Sequence, residues 1–125
     1  MVFSTARTLT TAQADDLRHA ILNAERRSGL RFGVYLGPPV GSRRHFAEKL
    51  HAALGEEAPN AVVVYVDLAG RALEIVTGEK ARRRLPDGAC RLVAMSMATA
   101  FSVGDLVGGL LYGIGALADH ATARR

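Results

Sequence analysis

The chain has 125 residues, one cysteine, and 16 basic against 12 acidic residues, for a formal net charge of +4. This length fits a single domain over residues 1–125, with a core of about residues 8–120, and it suffices to bury an apolar core without metals. Because Cys90 is the only cysteine, the composition excludes an internal disulfide. The arginines lie in short separate groups instead of along one stripe, so we expect no nucleic-acid partner.

No stretch of the chain reaches the roughly 18 to 20 apolar residues that a membrane-spanning helix needs. The nearest approach is residues 106–118, which are flanked by Asp105 and Asp119 and contain four glycines. We predict that this stretch is a buried helix. The first eleven residues lack the apolar segment of a signal peptide. We therefore expect a soluble, cytoplasmic protein with no membrane span.

The first predicted element is a helix that begins at Thr10 or Thr11 and ends at Gly29. Threonine is a good helix N-cap, and glycine is the usual residue just beyond a helix C-terminus. Between these ends, apolar or small residues recur at three- and four-residue spacing. They are Leu17, Ala20, Ile21, Ala24 and Ser28.

A strand over residues 30–36 comes next, followed by the glycine- and proline-rich loop 37–41. Ser42 is then a good N-cap for a second helix over residues 43–54, which Gly55 ends. The apolar run 61–66 is typical of a strand that is covered on both faces. Strand, helix and strand together predict a βαβ unit with two parallel strands.

A second β-rich run, residues 72–77, follows the break at Gly70, and the short link favours an antiparallel hairpin. After Pro86, we predict that Asp87 caps a helix over residues 88–101, and that a last helix runs to about His120. The predicted fold class is α/β. It is a small mixed β-sheet, made of the βαβ unit plus the antiparallel hairpin strand, sandwiched by about four helices.

Standard catalytic and cofactor motifs are absent from the sequence, including His-Glu-x-x-His, Gly-x-Ser-x-Gly and the phosphate-binding Gly-x-x-x-x-Gly-Lys-Ser/Thr. Gly113-Ile-Gly115-Ala-Leu-Ala118 matches the dinucleotide fingerprint in its letters. It lies inside the last predicted helix with no strand before it, so it fails the structural context of that motif. We attribute these glycines to helix packing.

One candidate site lies where the two parallel strands end, because ligands of open α/β sheets usually bind there. The free N–H groups after Ser42, together with Arg43 and Arg44, form a candidate anion-binding site for a phosphate or carboxylate. Asp67 follows the second strand at the same edge. The alternative is that Ser42 only caps its helix, that the arginines are solvated, and that Asp67 bonds its own turn.

A second candidate site lies at the opposite edge of the predicted sheet, around Gly78, Glu79 and Asp87. Carboxylates are ligands for hard cations such as calcium or magnesium, but two are few for a protein cage, and neighbouring arginines oppose a cation. The alternative is that Asp87 is a plain N-cap. No cofactor is therefore certain, and the candidate metal ligands are Asp67 and Asp87.

The order of elements, together with five segments, resembles the TPM domain, and most closely a bacterial branch of unknown function. The segments are residues 17–29, 60–67 (Asn-Ala-Val-Val-Val-Tyr-Val-Asp), 72–78, 85–87 (Leu-Pro-Asp) and 101–109 (Phe-Ser-Val-Gly-Asp-Leu-Val-Gly-Gly). For some members the resemblance implies divalent-cation binding and a weak acid phosphatase activity. Asp67, Gly78 and Asp87 match recurrent positions of the family. The chain departs from the family where Lys80 and Ala81 replace a usual glycine and acid.

Two functional hypotheses follow. The favoured one is a non-catalytic binding or assembly module for a protein partner or a small anionic ligand, because the sequence offers no nucleophile and base in a recognisable arrangement. The alternative is a weak divalent-metal-dependent acid phosphatase that uses Asp67 or Asp87. Convergence of two or more carboxylates in one cleft would favour the enzyme.

Overall fold

The computed structural model describes residues 2–4 and 9–123 and contains one four-stranded sheet in the order β1-β2-β3-β4. The strands are β1 (Val2–Ser4), β2 (Arg31–Leu36), β3 (Ala61–Asp67) and β4 (Ala72–Thr77). The first three are parallel, and β4 pairs with β3 in the antiparallel sense. The predicted βαβ unit and hairpin are therefore confirmed, and β1 is an edge strand that the sequence analysis did not predict.

In the described residues, four α-helices accompany the sheet, as predicted. They are α1 (Thr11–Ser28), α2 (Arg43–Ala52), α3 (Asp87–Ser102) and α4 (Leu106–Ala123). Two short 3-10 helices, Gly55–Asn60 and Ala81–Arg83, connect them to the strands. No helix in the described part of the chain is long and apolar enough to cross a membrane.

The two helix starts predicted from threonine and serine are confirmed by side-chain hydrogen bonds. Thr10 accepts a bond from the backbone N–H of Gln13, whose side chain bonds back to the Thr10 N–H, so the two residues form a capping box. Ser42 Oγ accepts from the backbone N–H of His45 at 3.3 Å. Gly29 ends α1 in the left-handed conformation at φ 76°, which costs a residue without a Cβ little.

Two predicted helix boundaries, the start of α3 and the end of α2, differ from the structure. Asp87 is the first residue of α3 and not its cap; Pro86 stands at the N-cap position and makes no side-chain bond there. A proline tolerates this end of a helix because the first N–H groups have no helical partner anyway. The second helix ends at Ala52, two residues before the predicted end, and the 3-10 helix from Gly55 continues the chain to β3.

The sheet has an unequal helical cover on its two faces. Helices α1, α3 and α4 pack on one face, and α2 alone covers the other. Because side chains alternate along a strand, each face receives every second residue of β3. Tyr65 meets Ala47 of α2 on one face. The residues that face the three-helix layer are Val62, Val64 and Val66.

The glycines of α4 allow α3 and α4 to pack closely. A Cβ added at Gly109 would lie 2.5 Å from the Phe101 ring, and one at Gly113 would lie 2.3 Å from the Met97 sulfur. The stretch 106–118 is thus part of a packed helix, as predicted. Gly78 makes an even closer approach, since a Cβ there would lie 1.9 Å from the Ala58 carbonyl oxygen.

Candidate functional site

The carboxylate of Asp67 lies at the carboxyl ends of the parallel strands and is satisfied within the chain. Its Oδ2 accepts a bond from Arg43 Nε at 3.2 Å, and its Oδ1 accepts from the backbone N–H of Gly70 at 3.1 Å. The Asp67 side chain is 8 % exposed, against 36 % for Arg43. We call Asp67, Arg43, Gly70 and the neighbouring Tyr65 the Asp67 corner.

Tyr65 completes this corner as a hydrogen-bond donor. Its hydroxyl donates to the Gly37 carbonyl at 2.6 Å, and its ring meets Phe46 edge-on with ring centroids 5.2 Å apart. Burial raises the pKa of Tyr65, the Asp67 carboxylate raises it further, and Arg43 acts in the opposite direction. The phenol therefore remains protonated at neutral pH, and its role is to close the loop after β2.

The three residues of the candidate anion site separate in the structure. Ser42 caps α2, and Arg43 binds Asp67. Arg44 turns towards β4, where it bonds Glu74 at 3.4 Å and the Ile75 carbonyl at 3.0 Å, with Glu48 at 3.3 Å on its own helix. The predicted turn bond of Asp67 to Gly70 is confirmed.

Arg44 instead lines a cavity of about 320 Å³ beside β4, with α2 on one wall and α3 on the other. We call it the β4 trough. Its lining residues are Arg44, Leu73, Glu74, Ile75, Asp87, Cys90, Arg91 and Ala94. Asp87 and Arg44, which the sequence analysis placed at opposite edges of the sheet, thus line one cavity.

The charges of the β4 trough are mixed and only partly paired. Arg44 and Glu74 bond each other, with side chains 52 % and 26 % exposed. Arg91 is exposed and forms no ion pair with any residue that the structure describes. Asp87 occupies the first turn of α3, where the helix dipole favours a negative charge. The trough therefore offers a ligand at least one guanidinium group without an ionic partner.

The thiol of Cys90 lies in the wall of the trough but is not activated. Burial raises the pKa of Cys90 to about 11, with a further contribution from the Asp87 carboxylate and an opposing one from Arg44. Because the thiolate is the nucleophilic form, this cysteine is unreactive near neutral pH. Cys90 thus contributes packing and shape.

A second, smaller cavity of about 200 Å³ borders the Asp67 corner. It lies between the β3–β4 turn and the α3–α4 connection, and Asp67, Arg71 and Ser102 are among its polar lining residues. Arg71 has a φ of 52°, and it is the one residue other than glycine with a positive φ among those described.

The two predicted metal ligands, Asp67 and Asp87, do not come together in the structure. Both oxygens of Asp67 already accept bonds from a guanidinium and a backbone N–H. Asp87 lies in a different cavity, together with two arginines. Among the described residues, no group of three or more His, Cys, Asp or Glu side chains is placed to hold a metal ion.

Glu74 and Arg91 are candidate functional residues that the sequence analysis missed, whereas Arg82 is one of the arginines expected near Asp87. Arg82 of the 3-10 helix donates to the Thr77 carbonyl at 2.9 Å, beside the trough. Glu74 is a charged residue inside an otherwise apolar strand, and this was the one sequence signal for the site. Arg44 and Arg91 come together with Glu74 only through packing of α2 and α3 against β4.

Comparison with known proteins gives one family and several solved structures. A family model described as the TPM domain matches residues 2–120. No curated protein is significantly similar to the chain. The solution NMR structure of the N-terminal domain of a P. gingivalis protein is 25% identical, covers 95% of this chain and 80% of its own, and has a TM-score of 0.82.

Two further NMR structures share the fold at lower identity. The BA42 protein of the psychrophilic Bizionia argentinensis is 20% identical, with a TM-score of 0.83 and coverage of 95% of this chain and 84% of its own. The N-terminal domain of cg2496 from Corynebacterium glutamicum is 13% identical, with a TM-score of 0.81 and coverage of 99% and 81%.

Proposed function

This chain belongs to the TPM domain family, and we propose that it is a non-catalytic binding module whose ligand site is the β4 trough. The ligand is a protein partner or a small anionic molecule that presents a negative group to Arg91. The proposal is one of binding alone, with no chemical step.

The observation that carries this proposal is the position of Arg91. It lines the 320 Å³ cavity, is exposed, and has no ionic partner among the described residues. Arginine is well suited to bind carboxylates and phosphates because its planar guanidinium donates two parallel hydrogen bonds. The other arginine of the trough, Arg44, holds Glu74 and so reduces the repulsion that this carboxylate exerts on an anion.

Two carboxylates, Glu74 and Asp87, line the β4 trough, which is the arrangement that would favour an enzyme. Arg44 and Arg91 line the same cavity and oppose a cation there, so we favour binding over metal-dependent catalysis. A nucleophile needs a lowered pKa or a neighbouring base, whereas the pKa of the Cys90 thiol is raised.

Asp67, one of the two candidates for the alternative phosphatase, is bonded by Arg43 and by the Gly70 N–H. Both partners hold this carboxylate in place and compete with its use as a nucleophile or metal ligand.

An NMR titration tests the proposed site. Inorganic phosphate added to the 15N-labelled chain is expected to shift backbone amides around Arg91 and Arg44. Replacing the guanidinium in Arg91→Ala should abolish these shifts. Arg26→Ala is the matched control, because Arg26 is another exposed arginine, on α1, and it should leave the shifts unchanged. Phosphate shifts that persist in Arg91→Ala would contradict the proposal.

The phosphatase alternative has its own assay. Hydrolysis of p-nitrophenyl phosphate in the presence of calcium or magnesium is expected to be the same for the wild type, for Asp67→Asn and for Asp87→Asn, at the level of the buffer. Turnover by the wild type that disappears in Asp67→Asn or in Asp87→Asn would overturn the non-catalytic proposal and favour the enzyme.

A further inference from the structure

The outer edge of β4 has no strand partner in the described part of the chain. In the sheet order β1-β2-β3-β4, β4 is the last strand and pairs only with β3. An edge strand carries a row of backbone N–H and C=O groups that can pair with another extended chain. The β4 trough runs along this edge, since Leu73, Glu74 and Ile75 all line it.

The hydrogen-bond pattern of the hairpin determines which groups of β4 point outwards. The Gly78 N–H donates to the Ala61 carbonyl at 2.9 Å, so these two residues are a hydrogen-bonded pair. In an antiparallel ladder, hydrogen-bonded and non-hydrogen-bonded pairs alternate. The non-hydrogen-bonded residues, whose N–H and C=O groups face away from β3, are therefore Leu73, Ile75 and Thr77.

Two arginine side chains support this assignment because they bind the outward carbonyls. Arg44 donates to the Ile75 carbonyl at 3.0 Å, and Arg82 donates to the Thr77 carbonyl at 2.9 Å. Both arginines occupy acceptors that the N–H groups of an added strand would use. The Arg44 side chain is 52 % exposed, so its displacement transfers the guanidinium to water at little cost.

The walls of the trough suit an extended polypeptide. Leu73 and Ile75 pack towards the three-helix face, and the apolar side chain of Ala94 and the Cys90 wall lie beside them. The charged residues Arg44 of α2 and Asp87 and Arg91 of α3 line the same cavity. An added strand pairs its backbone with β4 and alternates its side chains between the two walls.

We propose that the ligand of the β4 trough is an extended polypeptide segment that adds to β4 as a fifth strand and presents an acidic side chain to Arg91. This inference rests on the proposed function and specifies its ligand class. The segment replaces Arg44 at the Ile75 carbonyl, and its own carbonyls accept from the outward N–H groups of Leu73 and Ile75. The unpaired charge of Arg91 provides the complementary group for the acidic residue.

Selection from a random peptide library on the immobilised chain, followed by backbone N-methyl scanning of a selected peptide, tests this proposal. In a β-strand, only every second residue directs its N–H towards the neighbouring strand. N-methylation is therefore expected to weaken binding at least about tenfold at alternate positions, while intervening positions change little, where tenfold corresponds to about 1.4 kcal/mol. Amide exchange at Ile75 should slow in the complex.

Variants of the chain provide the matched controls. Arg91→Glu should reverse the selection, so that peptides with a basic residue replace those with an acidic one. Arg26→Glu should leave the selected sequences unchanged.

The outcomes separate this inference from the proposed function. Loss of affinity without a two-residue period would overturn strand addition, although dependence on Arg91 would leave the binding module standing. Selection that enriches no peptide, while phosphate still shifts the Arg91 amide, would likewise overturn strand addition alone. Peptides whose binding is insensitive to Arg91→Glu would contradict the role of that arginine in both proposals.

Discussion

Arg43 and Arg44 are neighbours in the sequence but belong to regions of opposite character. Arg43 reaches into the Asp67 corner, where both carboxylate oxygens and the tyrosine hydroxyl have partners inside the chain. Arg44 reaches into the β4 trough, which is open and contains the unpaired Arg91. The buried charge of Asp67 thus holds loops together, whereas the exposed charges of the trough remain available to a ligand.

The largest expected effect is on the free energy of unfolding, when the carboxylate of Asp67 in the corner or of Asp87 in the trough is removed. Asp67→Ala leaves Arg43 and the Gly70 N–H without their acceptor, and should lower the free energy of unfolding by about 2 kcal/mol. This estimate lies below that for a fully buried pair because Arg43 is one-third exposed. Asp87→Ala removes only a favourable helix-dipole charge, and should cost about 0.5 kcal/mol.

Urea denaturation of both variants measures this difference, and thermal melts should agree, with a fall of roughly 4 °C per kcal/mol for a chain of this size. Equal destabilisation by the two substitutions would remove the distinction between a closed corner and an open trough.

A smaller effect is expected from ionisation of the Cys90 thiol, which lies in the wall of the β4 trough. The pKa of its thiol is raised to about 11 in the folded chain, against about 8.5 for a free thiol. The protonated Cys90 thiol therefore contributes its full amount to the free energy of unfolding below about pH 8.5. This contribution is lost as the pH rises towards 11. At pH 8, the thiolate fraction should be roughly 200-fold lower than in the unfolded chain.

Alkylation by iodoacetamide at pH 8, with and without urea, measures this protection. Cys90→Ala is the control for the pH effect, because its urea midpoint should lack the thiol contribution between pH 8.5 and 11. Rapid alkylation of the folded chain would show that the trough admits solvent to the thiol and would contradict the inert role of Cys90.

Local patterns predicted most of the fold. Three- and four-residue apolar spacing with a capping threonine and a terminal glycine was sufficient for α1. The apolar run of β3 and the break at Gly70 were sufficient for the hairpin. The strand β1 was missed because three residues, Val2–Ser4, are too few to establish a periodic pattern, and only their pairing with β2 defines them.

The site was harder to predict because it depends on tertiary packing. Asp67 and Arg43 were assigned to the same edge from the parallel strands alone, and they are bonded there. Arg44 and Asp87 were assigned to different edges, since the sequence does not indicate that α3 packs beside β4 opposite α2. No local pattern connects Arg91 with Glu74.

The unequal helical cover of the sheet also affects how the chain fluctuates. On one face, α2 has ten residues and only one buried side chain, Ala47. The other face is covered by α1, α3 and α4, with 18, 16 and 18 residues. Regions with few buried contacts open locally at lower free energy, so α2 amides should exchange hydrogen at least about tenfold faster than those of α4.

Native-state hydrogen exchange followed by NMR measures this difference, and equal protection of α2 and α4 would contradict it. Because α2 carries Arg44, each local opening of this helix withdraws the guanidinium from the Ile75 carbonyl. Local opening of the thinly covered side of the sheet therefore adds a second route, besides motion of the Arg44 side chain alone, by which the Ile75 carbonyl becomes free.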